Sequence, residues 1–306
     1  MSVSVSSIDL DGLLRRLHLP TVRRLYRELE TQAERSDMSH RDYLATLIAE
    51  EVAHRAQTRI SRSTRKARFP FLGTIETFDF TFQTSIRLSA LGSLLGPELV
   101  SEGRCAVFHG NSGTGKTHLA IAIAYRAIQN GFEARFVDAD ALLEELSRAS
   151  QGDQLQATLE EYVHPDVLVI DEVGYLNHRP DAANVLFQVV NERHLKKRPI
   201  VFTTNKPLKA WGRVLHDGDL AEAILDRVLE RGRWITLSGH SFRTRHMAEE
   251  LRGVGDPIST RLAPHHDDVL PDVVEQGARV SGKPGPELTE PTTTVDATSE
   301  GSATMA

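Results

Sequence analysis

Apolar residues recur at two different periods along this chain, and the change from one to the other divides it. Between residues 8 and 35, Leu10, Leu13, Leu14, Leu17, Val22, Leu25 and Leu29 recur mostly at steps of three and four, interrupted near Pro20. That stripe predicts two short amphipathic helices. A further helix opens at Ser39, with Asp42 placed to complete a capping pair, and runs on through Tyr43, Leu44, Leu47, Ile48 and Val52. Phe69-Pro70 breaks it, because the residue before proline is pushed out of the helical region. An aromatic-rich stretch with Phe71, Phe78, Phe80 and Phe82 follows.

From about residue 104 the period shortens. Apolar runs at 105–108, 134–137, 167–170, 200–203 and 234–237 read as strands, and the helical stretches 118–129, 141–147, 182–195 and 220–229 lie between them. The alternation predicts an α/β fold, a mainly parallel sheet with helices on both faces and a ligand at the carboxyl ends of the strands. Beyond Gly253 the pattern stops: six of the thirteen prolines lie there, with Thr292, Thr293, Thr294 and many Ser, Gly and acidic residues. Such a segment cannot bury enough apolar surface to offset its ordering entropy and is expected to be disordered. The expected organisation is a small all-α domain over 1–68, an α/β domain over 69–252 and an acidic tail over 253–306.

Composition changes this picture little, but charge does. The formal net charge of −6 arises entirely in residues 253–306, which hold nine acidic and three basic residues. Residues 1–68 lean the other way, with thirteen Arg or Lys against nine Asp or Glu. No acidic residue occurs from Ala53 to Ile75, and Arg55, Arg59, Arg62 and Lys66 recur there at helical spacing, on one face. Cations so arranged can neutralise phosphates and bind duplex DNA through its backbone, without reading bases; a solvated cationic helix has the same pattern. Lys196, Lys197 and Arg198 form a shorter second cluster. One cysteine, no run of 18 apolar residues and a start without a basic, apolar leader fit a soluble cytoplasmic protein with no membrane partner. The histidines show no ligand spacing, so no structural metal is expected.

The candidate chemistry lies in the α/β part. Residues 110–117 read G-N-S-G-T-G-K-T between a strand and a helix. Gly113 and Gly115 allow backbone amides to turn inward around phosphates, Lys116 can meet the β and γ oxygens, and Thr117 can offer a hydroxyl to Mg²⁺. The expected ATP-binding set is Gly110, Asn111, Ser112, Gly113, Thr114, Gly115, Lys116, Thr117 and His118. Some 55 residues on, Val167-Leu168-Val169-Ile170 ends in Asp171-Glu172. Asp171 can hold the Mg²⁺ and Glu172 can polarise a water for attack. A third strand ends in Thr203-Thr204-Asn205, polar groups at the γ-phosphate edge of the sheet. Arg227 and Arg243 are candidates for stabilising γ-phosphate charge, or simply exposed and paired arginines.

Taken together, G-N-S-G-T-G-K-T-H-L-A, V-L-V-I-D-E-V-G-Y, F-T-T-N-K-P-L-K-A-W-G, A-I-L-D-R and G-H-S-F-R resemble the IstB-like family. These are transposition helper ATPases of bacterial insertion sequences, AAA+ proteins related to the DnaC helicase loaders. The resemblance covers about residues 8–250, including F-P-F-L-G-T-I-E-T-F-D-F. It departs at Asn111-Ser112, where the family often carries Pro, and the amide cradle survives that change. The resemblance implies an AAA+ P-loop fold, with Asn205 as sensor 1, Arg227 as an arginine finger acting in trans and Arg243 as sensor 2. It also implies a homo-oligomer on duplex DNA that presents the DNA to the transposase encoded by the same element. Two alternatives share the core: a replicative helicase loader, and a P-loop kinase acting on a small molecule.

Overall fold

In the computed structural model the chain divides into two units, residues 1–255 and 256–306. The structure describes residues 9–174 and 182–245, all within the first unit. The expected tail therefore lies outside the described residues, as do 246–252 of the α/β part.

Three helices come first: α1 (Leu10–Arg16), α2 (Pro20–Arg35) and α3 (His40–Ala67). Pro20 sits at the first turn of α2, where its missing N–H costs nothing. Ser39 caps α3 by accepting the Asp42 amide at 3.2 Å, and Arg68 ends the helix in the left-handed conformation at φ 58°. Leu14, Val22 and Leu47 form the small core of this helical layer. The buried Glu51 carboxylate joins it, accepting the Thr21 and Val22 amides at 2.8 and 3.2 Å. Those are unpaired donors at the start of α2, so α3 caps its neighbour with a charge that suits the helix dipole. The second half of α3 continues onto the sheet layer, where Ala67 is buried and Ile60 packs against the same core.

After α4 (Leu88–Leu95) and α5 (Glu98–Ser101) the chain alternates β1 (Cys105–Gly110), α6 (Lys116–Gln129), β2 (Ala134–Asp138), α7 (Ala139–Ser150), α8 (Leu155–Val163), β3 (Val167–Asp171), α9 (Ala182–Leu195) and β4 (Ile200–Thr204). It ends with α10 (Trp211–Leu215), α11 (Gly218–Glu230) and β5 (Gly232–Leu237). The sheet is parallel throughout, in the order β2-β3-β4-β1-β5. Successive side chains serve opposite faces, as the two-residue period of a strand requires. Val107, Leu168 and Ile170 enter the core beneath α7 to α11, whereas Ala106, Phe108, Val167 and Val169 enter the one beneath α3, α4 and α6.

The sheet and its strands match the sequence expectation, and the differences are local. Helix α7 is longer than 141–147 because Asp138 caps it from the end of β2, accepting the Asp140 amide at 2.9 Å. Strand β5 begins at Gly232, ahead of 234, because Cys105 pairs with Gly232 in the β1 ladder. Helices α4, α5, α8 and α10 were not anticipated. The buried Leu159, Tyr162 and Val163 on α8 fall at helical spacing, in a segment too short to stand out by period alone.

One buried cation braces the lower edge of the sheet. The fully buried Arg193 of α9 donates to five backbone oxygens, those of Tyr162, Val163, Pro165, Asp166 and Pro199, at 2.8 to 3.3 Å. Burial pulls its pKa down to about 9, which still leaves a cation at neutral pH. It ties the end of α8 to the starts of β3 and β4, the two strands whose opposite ends carry the acidic and polar site residues.

Candidate active site

The carboxyl edge of the sheet opens into a cavity of about 610 Å³, within the size range of ligand pockets. The loop from β1 to α6 forms its floor. Gly113 and Gly115 take φ of 78° and 93°, left-handed values that disfavour a side chain. A Cβ on Gly113 would stand 2.0 Å from Ser241 Oγ, so the loop can lie against the segment after β5 only without one. The Phe242 amide donates to the Gly113 carbonyl at 2.9 Å, which brings Arg243 to the cavity wall. Thr114 donates to the Asn111 carbonyl at 2.8 Å, and the buried Gln83 donates to the Thr114 carbonyl at 3.0 Å. Asn111 and Ser112 thus sit in a loop tied from three sides.

Lys116 opens α6 and donates to the Asn111 carbonyl at 2.7 Å. Burial lowers its pKa and Arg243 adds to that, against the opposing pull of Asp171 and Glu172. The Thr117 hydroxyl donates to the Asp171 carboxylate at 2.9 and 3.1 Å, and Thr203 donates to the same carboxylate from β4. Burial raises the Asp171 pKa, while the two hydroxyls hold it back. Glu172 is exposed on the cavity wall, and Asn205 lines the same wall.

The residues fit the groups that the sequence motif implies. Left-handed glycines leave room for phosphates beside the first turn of α6, whose amides have no intrahelical acceptor. A hydroxyl and a buried carboxylate in contact form an all-oxygen donor pair of the kind Mg²⁺ takes alongside phosphate oxygens.

The cavity also has an apolar lining of Pro70, Phe71, Phe78, Phe82 and Phe242. His118, the residue after Thr117, holds this segment through its Nε2, which lies 2.8 Å from the Thr74 carbonyl and 3.3 Å from the Thr77 hydroxyl. Phe78 packs edge-on against the His118 ring at 5.4 Å, and Phe82 against Phe242 at 5.3 Å. Sequence reasoning took 71–82 as a connection and missed its place in the site. The available signal was four phenylalanines within twelve residues, three of them at the two-residue step of a strand, just ahead of the phosphate loop.

Arg227 is not brought to this cavity. It lies near the end of α11, stacked over the Phe187 ring at 4.7 Å and donating to Asn191 Oδ1 at 3.1 Å. The four cations of α3 do meet, in a second groove of about 720 Å³ between α3 and the α1–α2 corner. Arg15 and Arg23 line its opposite wall. Arg55 is engaged by Glu51 at 2.8 Å and by the His18 carbonyl, and Lys66 lies 3.7 Å from Glu133. Burial alone would raise the Glu51 carboxyl, but Arg55 and the two α2 amides outweigh it and hold it below its usual value. Among the described residues, Arg15, Arg23, Arg59 and Arg62 form no ion pair. In the second cluster the exposed Lys196 pairs with Glu160 at 3.6 Å, Lys197 is exposed and Arg198 donates to the Val163 carbonyl at 2.6 Å. Among the described residues no helix is long and apolar enough to cross a membrane.

A glycine-rich phosphate loop after β1, an acidic pair after β3 and a further parallel strand between them define a P-loop protein of the AAA+ class. Residues 12–250 match the profile of the IstB-like ATP binding proteins, and the chain belongs to that family. It is 36% identical over 230 residues to the ATP-binding protein of insertion sequence IS5376 from Geobacillus stearothermophilus, covering 75% of this chain and 91% of the relative. It is 33% identical over 262 residues to the corresponding IS21 protein of Pseudomonas aeruginosa, covering 86% and 97%. A crystal structure of DnaI aligns at a TM-score of 0.48 and 20% identity, over 57% of this chain and 94% of that one, too partial a likeness to build on.

Proposed function

We propose that this protein is a Mg²⁺-dependent ATPase that assembles with copies of itself on duplex DNA and serves the transposase of its own insertion sequence. The observation that carries the reading is the paired acids at the end of β3. Asp171 is buried against the P-loop hydroxyl of Thr117, and its neighbour Glu172 is exposed in the same cavity. That is a division of labour between holding a cation and polarising a water. Family membership and relatives named as insertion-sequence ATP-binding proteins support the biological setting.

ATP lies with its phosphates over Gly113 to Thr117 and its base toward Phe71, Phe78 and Phe82. Thr117 and Asp171 would hold a Mg²⁺ ion, which would neutralise phosphate charge. Lys116 and Arg243 add cationic groups along the phosphate chain. Asn205 and Glu172 orient the attacking water, and Glu172 receives its proton. Arg227 faces away from its own cavity and completes the site of a neighbouring subunit. The α3 groove takes DNA through phosphates, with Arg15, Arg23, Arg59 and Arg62 as the available cations and Arg55 and Lys66 adding field from their ion pairs.

The test is phosphate release by the full-length protein with and without duplex DNA, together with capture of the transposase from the same element. Hydrolysis that depends on Mg²⁺ and responds to DNA supports the reading. Transfer of the γ-phosphate to a small molecule, or recovery of a replicative helicase in place of the transposase, contradicts it.

A further inference from the structure

Two adjacent acids at the end of a strand should not reach one cavity. Successive side chains on an extended strand point to opposite faces, so with Asp171 turned to Thr117 a regular β3 would send Glu172 away. Both nevertheless line the cavity. The alternation is broken at Glu172, whose φ is 59°, a left-handed value uncommon for any residue but glycine. Such a conformation persists only where the surroundings hold it.

Thr203 of β4 supplies the hold. Its hydroxyl accepts the Glu172 amide at 2.9 Å and donates its own proton to the Asp171 carboxylate. Its carbonyl then accepts the next amide, that of Val173, at 2.9 Å. One residue of β4 therefore takes two successive amides from the chain leaving β3, one on its hydroxyl and one on its carbonyl. Thr203 is fully buried, and both hydrogen-bonding capacities of its hydroxyl are used. Valine has the same shape and neither capacity.

We infer that Thr203 is a positioning residue for hydrolysis: its hydroxyl fixes the left-handed turn that aims Glu172 into the nucleotide cavity while anchoring Asp171. The inference rests on the proposed role of Glu172. The residue acts through the backbone of Glu172 and the carboxylate of Asp171.

The experiment compares full-length wild type, Thr203→Val, Thr203→Ser and Glu172→Gln for ATP affinity, turnover and amide hydrogen exchange over the peptide containing Glu172. Thr203→Val should lower kcat by about a hundredfold, the order expected when a reacting group is displaced by about an ångström, with ATP affinity within about twofold of wild type. The Glu172 amide should exchange faster, and Thr203→Ser should restore both rate and protection. If Thr203→Val does not fold, Thr203→Cys keeps the size with a far weaker donor and acceptor, and the same outcomes apply. Unchanged exchange at Glu172 overturns the inference. So does wild-type turnover in Thr203→Val alongside an inactive Glu172→Gln. Faster exchange with full turnover in Glu172→Gln instead leaves the hydrogen bond standing and overturns the role of Glu172 on which the inference rests.

Discussion

Replacing Arg59 and Arg62 together by alanine should flatten the salt dependence of DNA binding without touching the nucleotide site. The groove holds six cations, but Arg55 is drawn into Glu51 and the α1–α2 corner, and Lys66 lies beside Glu133. Arg15, Arg23, Arg59 and Arg62 remain to meet phosphates, and each neutralised phosphate contributes about −0.9 to the slope of log K against log salt. Four contacts give a slope near −3.6, so affinity falls about 150-fold between 50 and 200 mM salt. With two removed the slope is about −1.8 and the fall only about 12-fold. The assay is fluorescence anisotropy of a labelled duplex titrated at several salt concentrations, on two unrelated sequences, because backbone contacts should weaken both equally. Arg55→Ala is the control: it should lower the melting temperature, by leaving Glu51 without its cation, more than it changes the slope. A slope unchanged in the Arg59, Arg62 double variant would refute the placement of DNA in this groove.

Other expectations concern the neighbour's contribution and the brace under the sheet. Arg227→Ala and Glu172→Gln should each hydrolyse ATP poorly alone, yet regain activity when mixed, since a mixed interface can pair an intact Glu172 with an intact Arg227. A mixture as inactive as its components, or a silent Arg227→Ala, would place the finger elsewhere. Arg193→Met should cost about 3–5 kcal/mol, because several buried carbonyls lose a charged donor at once. For a domain of this size that lowers Tm by roughly 6–20 °C in a thermal melt. A Tm within about 2 °C of wild type would show that those carbonyls find other partners.

Much of this site could be read from the residues because the chemistry of phosphate binding restricts which ones can serve. Glycine suits positions 113 and 115, where φ is left-handed and a Cβ would run into Ser241 and Phe78, and a lysine and a hydroxyl residue complete the loop, so the pattern marks its own strand and helix. The acids Asp171 and Glu172 were legible for the same reason. What stayed hidden depends on register between distant segments. Thr203 meets Glu172 from 31 positions away, across a β3–β4 pairing that no local pattern specifies. The phenylalanines of 71–82 gain their role only when His118 latches that segment over the cavity. Arg15 and Arg23 join the α3 cations only because Glu51 pulls the α1–α2 corner onto α3. The location of Arg227 required the path of α11 back toward the start of β5. Periodicity reveals an element's face but not what it will meet.

The central claim is that Glu172 activates water in a site that otherwise binds ATP without it. The direct measurement is a single-turnover experiment with radiolabelled ATP on wild type and Glu172→Gln, following bound and hydrolysed nucleotide separately. In the variant, ATP affinity should stay close to wild type, turnover should fall by at least about a hundredfold, and ATP should be retained intact on the protein. Hydrolysis at the wild-type rate in Glu172→Gln would contradict it.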